Sequence, residues 1–414
     1  MGYQNLARTS GIELRPIEDK EIEAFRRVGA VAFGRPHDAA GSDQWRARVD
    51  LERTVGAFAD GELVGTALAH SFLVSVPGGE ARAAGVGDVT VLPTHRRRGI
   101  LRALMRHQLD DFHARAEPLA CLWPSEAAIY GRFGYGPAWP ALHWEADTRD
   151  VAFLPEVVET TTAPGLEVRL LGAEEARPAL EQVYEGVRRR TPGMLQRTSV
   201  WWDAVLGDRE GSMLRAVATD GDRPVAYALY TVKASWGSSG PENRIDVREL
   251  ACDSPRGAAA VWSYLFSVDL VRTVACWNRP GDDPLPWMVR NRRALQRRAG
   301  EGLWVRLVDL PAAIAARRYR ADATVVVEIH DSACPWNEGR WRLDLGPEGG
   351  GAERTTGDPE VVVETAHLAS AYLGGFGLGA LAGAGLVAER VDGAVAALDR
   401  AMAWDPAPWT PSYF

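Results

Sequence analysis

The chain has 414 residues, more than one ordinary hydrophobic core accommodates, so two or three domains are expected. Apolar residues make up 46% and charged residues 25%, as in globular proteins. The net charge of −8 argues against nucleic acid as a partner and favours a cationic one. No segment approaches the roughly 18 apolar residues of a membrane span. The N-terminal M-G-Y-Q-N-L-A-R has no apolar signal core, so a cytoplasmic protein is expected.

The four cysteines are isolated from one another. Cys121, Cys252, Cys276 and Cys334 form no C-x-x-C pair, and no histidine lies at metal-ligand spacing from any of them. We expect reduced core residues and no metal site.

The first part of the chain alternates predicted strands and helices. Residues 12–16 read as a strand and residues 18–33 as a helix. Residues 55–59 and 63–72 predict a hairpin closed by Asp60-Gly61. The helix is expected to bury one face, made of Ile22, Phe25, Val28 and Val31.

A strand, a basic turn and a helix follow between residues 86 and 112. Residues 86–92 are β-branched and apolar, and Pro93-Thr94 ends the strand. The helix is indicated by apolar residues at helical spacing, which are Ile100, Leu101, Leu104, Met105, Leu109 and Phe112. Free backbone N–H groups and three arginines, Arg96 to Arg98, at a helix N-terminus suit a polyanion such as a pyrophosphate. Gly99 lets the backbone approach that ligand closely.

After a predicted strand at 119–123 comes S-E-A-A-I-Y-G-R-F-G-Y-G-P-A, residues 125–138. It contains two tyrosines, and a phenol can serve as a general acid at neutral pH. The residues alone do not decide between Tyr130 and Tyr135.

A second stretch repeats the first. The matching segments begin at Ile12 and Leu166, at Val55 and Leu214, and at Val86 and Val247. The positions aligned with Arg96, Arg97, Arg98 and Gly99 are Gly257, Ala258, Ala259 and Ala260. Without arginines, the second copy is expected to bind no cofactor.

The pattern changes from about residue 302. Strands are predicted at 324–329, 341–345 and 360–364, and short glycine-broken helices at 368–384. One face of a last helix is marked by Val391, Val395, Leu398 and Met402. The chain ends W-D-P-A-P-W-T-P-S-Y-F, and its three prolines and terminal aromatics predict a rigid, buried end.

These motifs resemble those of a known family. R-x-x-G-x-[GA] after a strand is typical of the acetyl-coenzyme A turn of GNAT N-acetyltransferases; Arg96 and Gly99 fit it, while Leu101 departs from it. The longer V-T-V-L-P-T-H-R-R-R-G-I-L-R resembles the enhanced-intracellular-survival (Eis-type) branch. The resemblance implies an α+β chain with tandem GNAT-like domains, the first active (1–152) and the second degenerate (153–301), and a sterol-carrier-like domain (302–414).

The same resemblance implies roles for particular residues. The backbone around Val89, Thr90 and Val91 would bind the pantetheine arm of acetyl-CoA, and Ser125 and Glu126 would border its other side. The pyrophosphate would be held by Arg97, Arg98, Gly99, Ile100, Leu101 and Arg102. Tyr130, not Tyr135, would be the general acid, and the α-carboxylate of Phe414 would be the general base.

The family also implies amine acceptors, including aminoglycosides acetylated at more than one position and protein lysines, and a homohexamer. Four tryptophans are candidates for an amine pocket through cation–π contacts, although most tryptophans lie in cores: Trp45, Trp201, Trp202 and Trp404. The alternative from another class is a non-catalytic sensor that binds acetyl-CoA, or a lipid through the C-terminal domain.

Overall fold

The computed structural model describes residues 11–36, 41–207, 212–238 and 240–414. The N-terminal sequence in which no signal core is predicted lies outside these ranges. Within them, no helix is both long enough and apolar enough to cross a bilayer.

The first part of the chain follows the predicted order. Its strands are β1 (Ile12–Arg15), β2 (Thr54–Ala59), β3 (Glu62–Val76), β4 (Gly79–Val91), β5 (Leu119–Leu122), β6 (Gly136–Pro137) and β7 (Pro140–Asp147). Its helices are α1 (Ile22–Ala32), α2 (Ser42–Arg48), α3 (Ile100–Ala114) and α4 (Ala127–Tyr130). The β2–β3 hairpin turns at Asp60 and Gly61, both at positive φ, as an Asp-Gly turn requires. Val31, predicted to face inward on α1, is 53% exposed.

The second part repeats this plan. Its strands are β8 (Leu166–Leu170), β9 (Met213–Asp220), β10 (Arg223–Lys233), β11 (Trp236–Gly237), β12 (Gly240–Pro241), β13 (Asn243–Cys252), β14 (Val271–Arg279) and β15 (Arg298–Glu301). Its helices are α5 (Pro155–Thr162), α6 (Ala173–Arg188), α7 (Ser199–Leu206), α8 (Pro255–Ser267) and α9 (Leu285–Met288).

The third part contains the predicted strands and broken helices. Its strands are β16 (Trp304–Leu307), β17 (Ala323–His330), β18 (Gly339–Gly346), β19 (Gly349–Arg354), β20 (Val361–Glu364) and β21 (Val387–Glu389). Its helices are α10 (Leu310–Ala315), α11 (Thr365–Tyr372), α12 (Leu378–Gly383) and α13 (Ala394–Met402). Val395, Leu398 and Met402 are buried as predicted, whereas Val391 precedes α13 and is 49% exposed.

Each of the two large sheets contains a strand from a distant part of the chain. The first sheet has the order β1-β2-β3-β4-β5-β16-β6, in which β16 is antiparallel to β5. The second has the order β15-β7-β14-β13-β10-β9-β8, in which β7 is antiparallel to β14. The predicted divisions at 152 and 301 therefore separate β7 and β16 from the sheets in which they lie.

The third sheet has the order β19-β18-β17-β20-β21 and joins the first through a buried ion pair. Arg306 of β16 donates to both carboxylate oxygens of Asp331 at 2.7 Å, and both side chains are almost fully buried. Asp331 also accepts from Asn337 and Thr365. A buried ion pair with these hydrogen bonds fixes the third sheet relative to the first, because separating the partners leaves an uncompensated buried charge.

Candidate active site

The first sheet opens between β4 and β5. These parallel strands pair only from Ala83↔Leu119 to Val86↔Leu122. From Gly87 to Val91, the side of β4 that faces β5 has no partner among the described strands. Backbone groups along such an edge can bond an extended ligand.

An irregularity in β4 accompanies this opening. The register with β3 shifts between Thr66 and Leu68, and Asp88 has a φ of 48°. The bulge is fixed by Thr66, whose hydroxyl contacts the Asp88 carbonyl at 2.7 Å and the Thr90 hydroxyl at 2.5 Å. Bulges of this kind often lie beside functional sites because they redirect the strand.

The basic turn lies at the end of β4. Gly99, at a φ of 82°, precedes α3, and no side chain caps this helix. Arg97, Arg98 and Arg102 are exposed, and within the described part of the chain their guanidinium groups have no hydrogen-bond or ion-pair partner. Free amides and unpaired cations together suit a pyrophosphate.

The other predicted cofactor residues border the same opening. Val89 and Val91 are half-buried, and Thr90 is buried against Thr66. Ile100 is 2% exposed, so only its backbone can face a ligand, and Leu101 is half-buried. Across the opening, exposed Ser125 and Glu126 follow β5 and precede α4.

The corresponding opening in the second copy has a different turn. β13 and β14 pair up to Val247↔Cys276 and then separate. Two residues, 253–254, connect β13 to α8, whereas eight, 92–99, connect β4 to α3. The Ser254 hydroxyl accepts from Gly257 N–H at 3.1 Å and so satisfies a helix-end amide that is left without a side-chain cap in the first copy.

The sequence alignment of this turn was wrong. The alignment matched the arginines of the first copy to four residues that lie inside a helix. These residues are buried in the first turns of α8 and are Gly257, Ala258, Ala259 and Ala260. The conclusion that the turn has no arginine cluster holds for the actual connection, Asp253-Ser254.

The two candidate tyrosines differ in their surroundings. Tyr130 is 5% exposed at the end of α4, and burial raises its pKa while a hydrogen bond with Ser125 lowers it. Tyr135 is fully buried, its pKa is raised well above the usual value by burial, and its hydroxyl has no hydrogen-bond partner among the described residues. Tyr413, near the chain end, makes a small further contribution to the raised pKa of Tyr130, whereas the groups that act on the pKa of Tyr135 are core groups such as Arg306.

The last ten residues, 405–414, form a segment that we call the C-terminal strap. The strap ends over the opening between β4 and β5. The Phe414 ring packs on Phe72 of β3 with centroids 4.9 Å apart. A Cβ built on Gly85 would lie 3.0 Å from that ring, and one on Gly87 would lie 3.9 Å from the carboxyl carbon of Phe414.

The chain end is only partly buried, which corrects the expectation that both terminal aromatic side chains are buried. Phe414 is half-buried, but Tyr413 is 63% exposed. The Tyr413 ring lies 5.6 Å from that of Trp123, whose indole N–H donates to the Ser412 carbonyl at 3.0 Å. The backbone rather than the Tyr413 side chain therefore holds the end of the strap beside β5.

A cavity of about 130 Å³ lies beside Phe414. Its lining includes Trp45, His70, Asp88, Trp201 and Phe414. Trp45 donates its indole N–H to Asp88 at 3.0 Å, and His70 packs edge-on against Trp201 at 5.0 Å. Aromatic faces beside carboxylates suit a cationic group.

The cavity is also lined by Arg48, whose guanidinium lies 5.5 Å from the centre of the Trp201 ring. The pKa values of two other titratable side chains there, His70 and Asp88, are shifted in opposite directions. Desolvation lowers the pKa of His70 to about 4, so its ring is neutral at pH 7, and its Nδ1 lies 3.2 Å from the Arg48 carbonyl. The Asp88 side chain is exposed to the cavity, but the protein atoms around it partly desolvate its carboxylate, which raises its pKa.

Sequence reasoning considered Trp45 and Trp201 but left them out of the site, and it missed His70 and Asp88. An aspartate within V-G-D-V-T-V was the available signal. Of the other tryptophans considered, Trp202 is buried against Tyr184, and Trp404 lies against Gly374.

The cysteines form no disulfide, and the possible metal ligands of the described residues are dispersed. All four cysteines are free, and Cys252 alone is only partly buried. In residues 11–36, 41–207, 212–238 and 240–414, no group of three or more His, Cys, Asp or Glu side chains is placed to hold a metal ion.

Comparison with known families accounts for most of the chain. Residues 13–138 match an acetyltransferase (GNAT) domain, residues 193–307 match a second acetyltransferase (GNAT) domain, and residues 310–411 match a sterol carrier protein domain. The predicted architecture of two GNAT-like domains and a sterol-carrier-like domain is confirmed. The splayed strands and the basic turn thus belong to an N-acetyltransferase of the GNAT class, whose members use acetyl-CoA.

Whole-chain relatives narrow this assignment. An uncharacterised N-acetyltransferase of Streptomyces coelicolor is 38% identical over 97% of this chain and 100% of its own length. The N-acetyltransferase Eis of Mycobacterium tuberculosis is 32% identical over 87% of this chain and 89% of its own. The crystal structure of Eis1 from Mycobacterium abscessus covers 97% of this chain and 100% of its own, with a TM-score of 0.83 and 33% identity. The chain belongs to the Eis-type family of N-acetyltransferases.

Proposed function

We propose that this enzyme transfers the acetyl group of acetyl-CoA directly to an amine, with Tyr130 as general acid and the Phe414 carboxylate as general base. The observation that carries the proposal is the placement of the chain end over the β4–β5 opening. The carboxyl carbon of Phe414 lies beside Gly87 of β4, the strand that borders the opening. The active centre belongs to the first of the three proposed domains, 1–152, with the second, 153–301, and the third, 302–414, completing it.

The cofactor residues have complementary tasks. The unpaired edge of β4 at Val89, Thr90 and Val91 offers backbone groups to the pantetheine arm and to the thioester oxygen, and Ser125 and Glu126 border the arm on the other side. The pyrophosphate is held by Arg97, Arg98, Gly99, Ile100, Leu101 and Arg102. The thioester supplies the acyl group and, once attacked, a thiolate leaving group.

Proton transfers complete the balance of the reaction. The Phe414 carboxylate accepts the proton that the amine loses as its nitrogen bonds to the acetyl carbon. Tyr130 donates its proton to the sulfur as the carbon–sulfur bond breaks. The Tyr130 phenol is protonated at neutral pH, as an ordinary phenol is, and its hydrogen bond with Ser125 opposes the rise in pKa that burial causes.

The acceptor is an amine held in the cavity beside Phe414. Trp45 offers an aromatic face, and Asp88 and the terminal carboxylate offer negative charge, while Trp201 already carries the Arg48 guanidinium 5.5 Å from its ring centre. We propose aminoglycosides, acetylated at more than one position, as acceptors, and lysines of proteins as a second group. These acceptors are cationic, as the net charge of −8 favours.

We further propose a cytoplasmic homohexamer. Free cysteines fit a reducing compartment. Exposed tryptophans such as Trp236 and Trp287, at 75% and 67%, fit burial between subunits. Light scattering after size exclusion measures the assembly directly.

The test of the activity is thiol release from acetyl-CoA against a panel of amines, aminoglycosides and lysine peptides. Turnover with aminoglycosides, and products acetylated at two or more positions by mass spectrometry, support the proposal. Binding of acetyl-CoA without thiol release for any amine would instead indicate a sensor.

A further inference from the structure

The strap occupies the opening of the second copy before it reaches the first. Beyond Val247↔Cys276, residues 248–252 of β13 and residues 277–279 of β14 are not paired with each other. This is the place at which β4 and β5 separate in the first copy. Trp409, which is 3% exposed, lies against this opening.

Three hydrogen bonds hold the strap there. The Trp409 indole N–H donates to the Asn278 carbonyl at 2.6 Å, and the Asn278 side-chain amide donates to the Thr410 carbonyl at 2.7 Å. The Trp409 backbone N–H donates to the Pro192 carbonyl at 2.8 Å. Asn278 is at the end of β14 with a φ of 54°, so its carbonyl and its side chain both reach the strap.

The residues around Trp409 fill the remaining width of the opening. The buried Arg279 guanidinium donates to the Leu250 carbonyl of β13 and lies 4.9 Å from the Trp409 ring. Asp283 neutralises this guanidinium at 2.6 Å. An edge that is free in the first copy is therefore bridged by Arg279 and covered by Trp409.

The strap is then guided towards the first copy. The Ser412 hydroxyl contacts Arg197 at 3.0 Å and Tyr184 at 3.2 Å. Arg197 in turn binds Glu249, which lies where β13 has separated from β14, through two bonds of 2.8 Å. Only two residues separate Ser412 from the chain end, so the place of Phe414 follows from these contacts.

We propose that the second copy has become the socket of the strap, and that Trp409 and Asn278 are positioning residues for the Phe414 carboxylate. The inference rests on the proposed function, because it assigns to these residues the placement of the general base. It gives the degenerate domain a role in the reaction without cofactor binding.

The test compares three variants of the full chain. Trp409→Phe keeps an aromatic ring but removes the N–H bonded to Asn278. Asn278→Asp keeps a residue that tolerates positive φ but removes the donor to Thr410. Trp144→Phe is the control, because Trp144 is 4% exposed in the core of the same sheet and its indole nitrogen has no hydrogen-bond partner among the described residues.

Two measurements follow each variant. The first is steady-state kinetics, in which Trp409→Phe and Asn278→Asp should lower kcat about tenfold or more and leave KM for acetyl-CoA within about twofold, because the arginine turn is untouched. The second is release of Phe414 by carboxypeptidase A, followed by intact-mass spectrometry. Release should be faster by about fivefold or more, the factor that one lost hydrogen bond represents.

The outcomes separate this inference from the proposed function. If both strap variants keep the kcat and the Phe414 release rate of the parent, Trp409 and Asn278 do not position the chain end, even if deletion of Phe414 abolishes activity. A fully active Phe414 deletion would overturn the terminal base, while faster release in the strap variants would still establish the anchor. Equal effects in Trp144→Phe would reduce the result to a general packing defect and overturn the positioning role.

Discussion

In the proposed mechanism, the last atoms of the chain take part in the reaction. Phe414 rests on β4 beside Gly85 and Gly87, whereas the strap's hydrogen bonds lie earlier, at Trp409, Thr410 and Ser412. Changing only the terminus should therefore alter chemistry and leave the anchor intact.

The magnitude of this effect follows from the geometry. One residue of extended chain spans about 3.3 to 3.6 Å, so deletion or addition of a residue moves the carboxylate beyond hydrogen-bond tolerance. General-base catalysis contributes about 10²- to 10⁴-fold, and kcat should fall by that factor. The Phe414 ring is half-buried, so its deletion should cost only about 1 kcal/mol of folding free energy.

The assay uses four forms of the protein. They are a Phe414 deletion, a one-glycine C-terminal extension, an N-terminal extension as the control, and a semisynthetic protein whose terminal carboxylate is replaced by a carboxamide. The carboxamide keeps the ring and its position but removes the negative charge, so it isolates the base. Acetyl-CoA affinity and melting temperature should stay close to the parent in all four. Full thiol release from a stably folded carboxamide or C-terminally extended protein would refute the terminal base.

Three further predictions concern other parts of the site. The double variant Arg97→Ala, Arg98→Ala should raise the acetyl-CoA dissociation constant tenfold or more, since each charge-assisted bond contributes about 1.5 to 3 kcal/mol. Calorimetry of the parent should give one acetyl-CoA site per chain, and two sites would contradict the assignment of the cofactor to the first copy alone. Tyr130→Phe should lower turnover about 10²-fold while acetyl-CoA still binds. Tyr135→Phe should lower turnover much less, because the Tyr135 hydroxyl has no hydrogen-bond partner among the described residues. The reverse order would show that Tyr135 is the general acid. The pKa of His70 is lowered from 6.5 to about 4, so the ring stays neutral in the folded state while the unfolded chain takes up a proton. His70 should therefore reduce the free energy of unfolding by up to about 3 kcal/mol as pH falls from 6.5 to 4. In His70→Gln, denaturation should lack this dependence of stability on pH, and an unchanged dependence would contradict the shift.

Local patterns in the sequence predicted the elements around the basic turn and part of the remaining elements. The β2–β3 hairpin, α3 and three strands of the sterol-carrier-like domain, β17, β18 and β20, follow periodicities that depend on neighbouring residues alone. Errors occurred where an apolar residue lies at the edge of such a pattern, as with Val31 and Val391, because one exposed apolar side chain costs little and leaves no trace in the periodicity.

Long-range partnerships could not be predicted in this way. Nothing in Pro140–Asp147 or Trp304–Leu307 indicates which sheet each strand joins, because the choice depends on partners more than a hundred residues away. The cavity beside Phe414 was missed for the same reason. His70 and Asp88 come from neighbouring strands, but Trp201 comes from the second copy and meets them only in the fold.

The exchange of strands also accounts for the proposed dependence of the active site on the whole chain. The first sheet would end at β5 without β16, leaving Leu119 and Cys121 at an open edge, and Arg306 of β16 ties that sheet to Asp331 of the third domain. The strap leaves the third domain, crosses the opening of the second copy and ends over the first. A terminal carboxylate has no side-chain rotamer to fix it, so its position depends entirely on the backbone that precedes it. Fixing that backbone to two rigid sheets restricts its motion, which is how a chain end, ordinarily the most mobile part of a domain, can be held within the tolerance of a catalytic base.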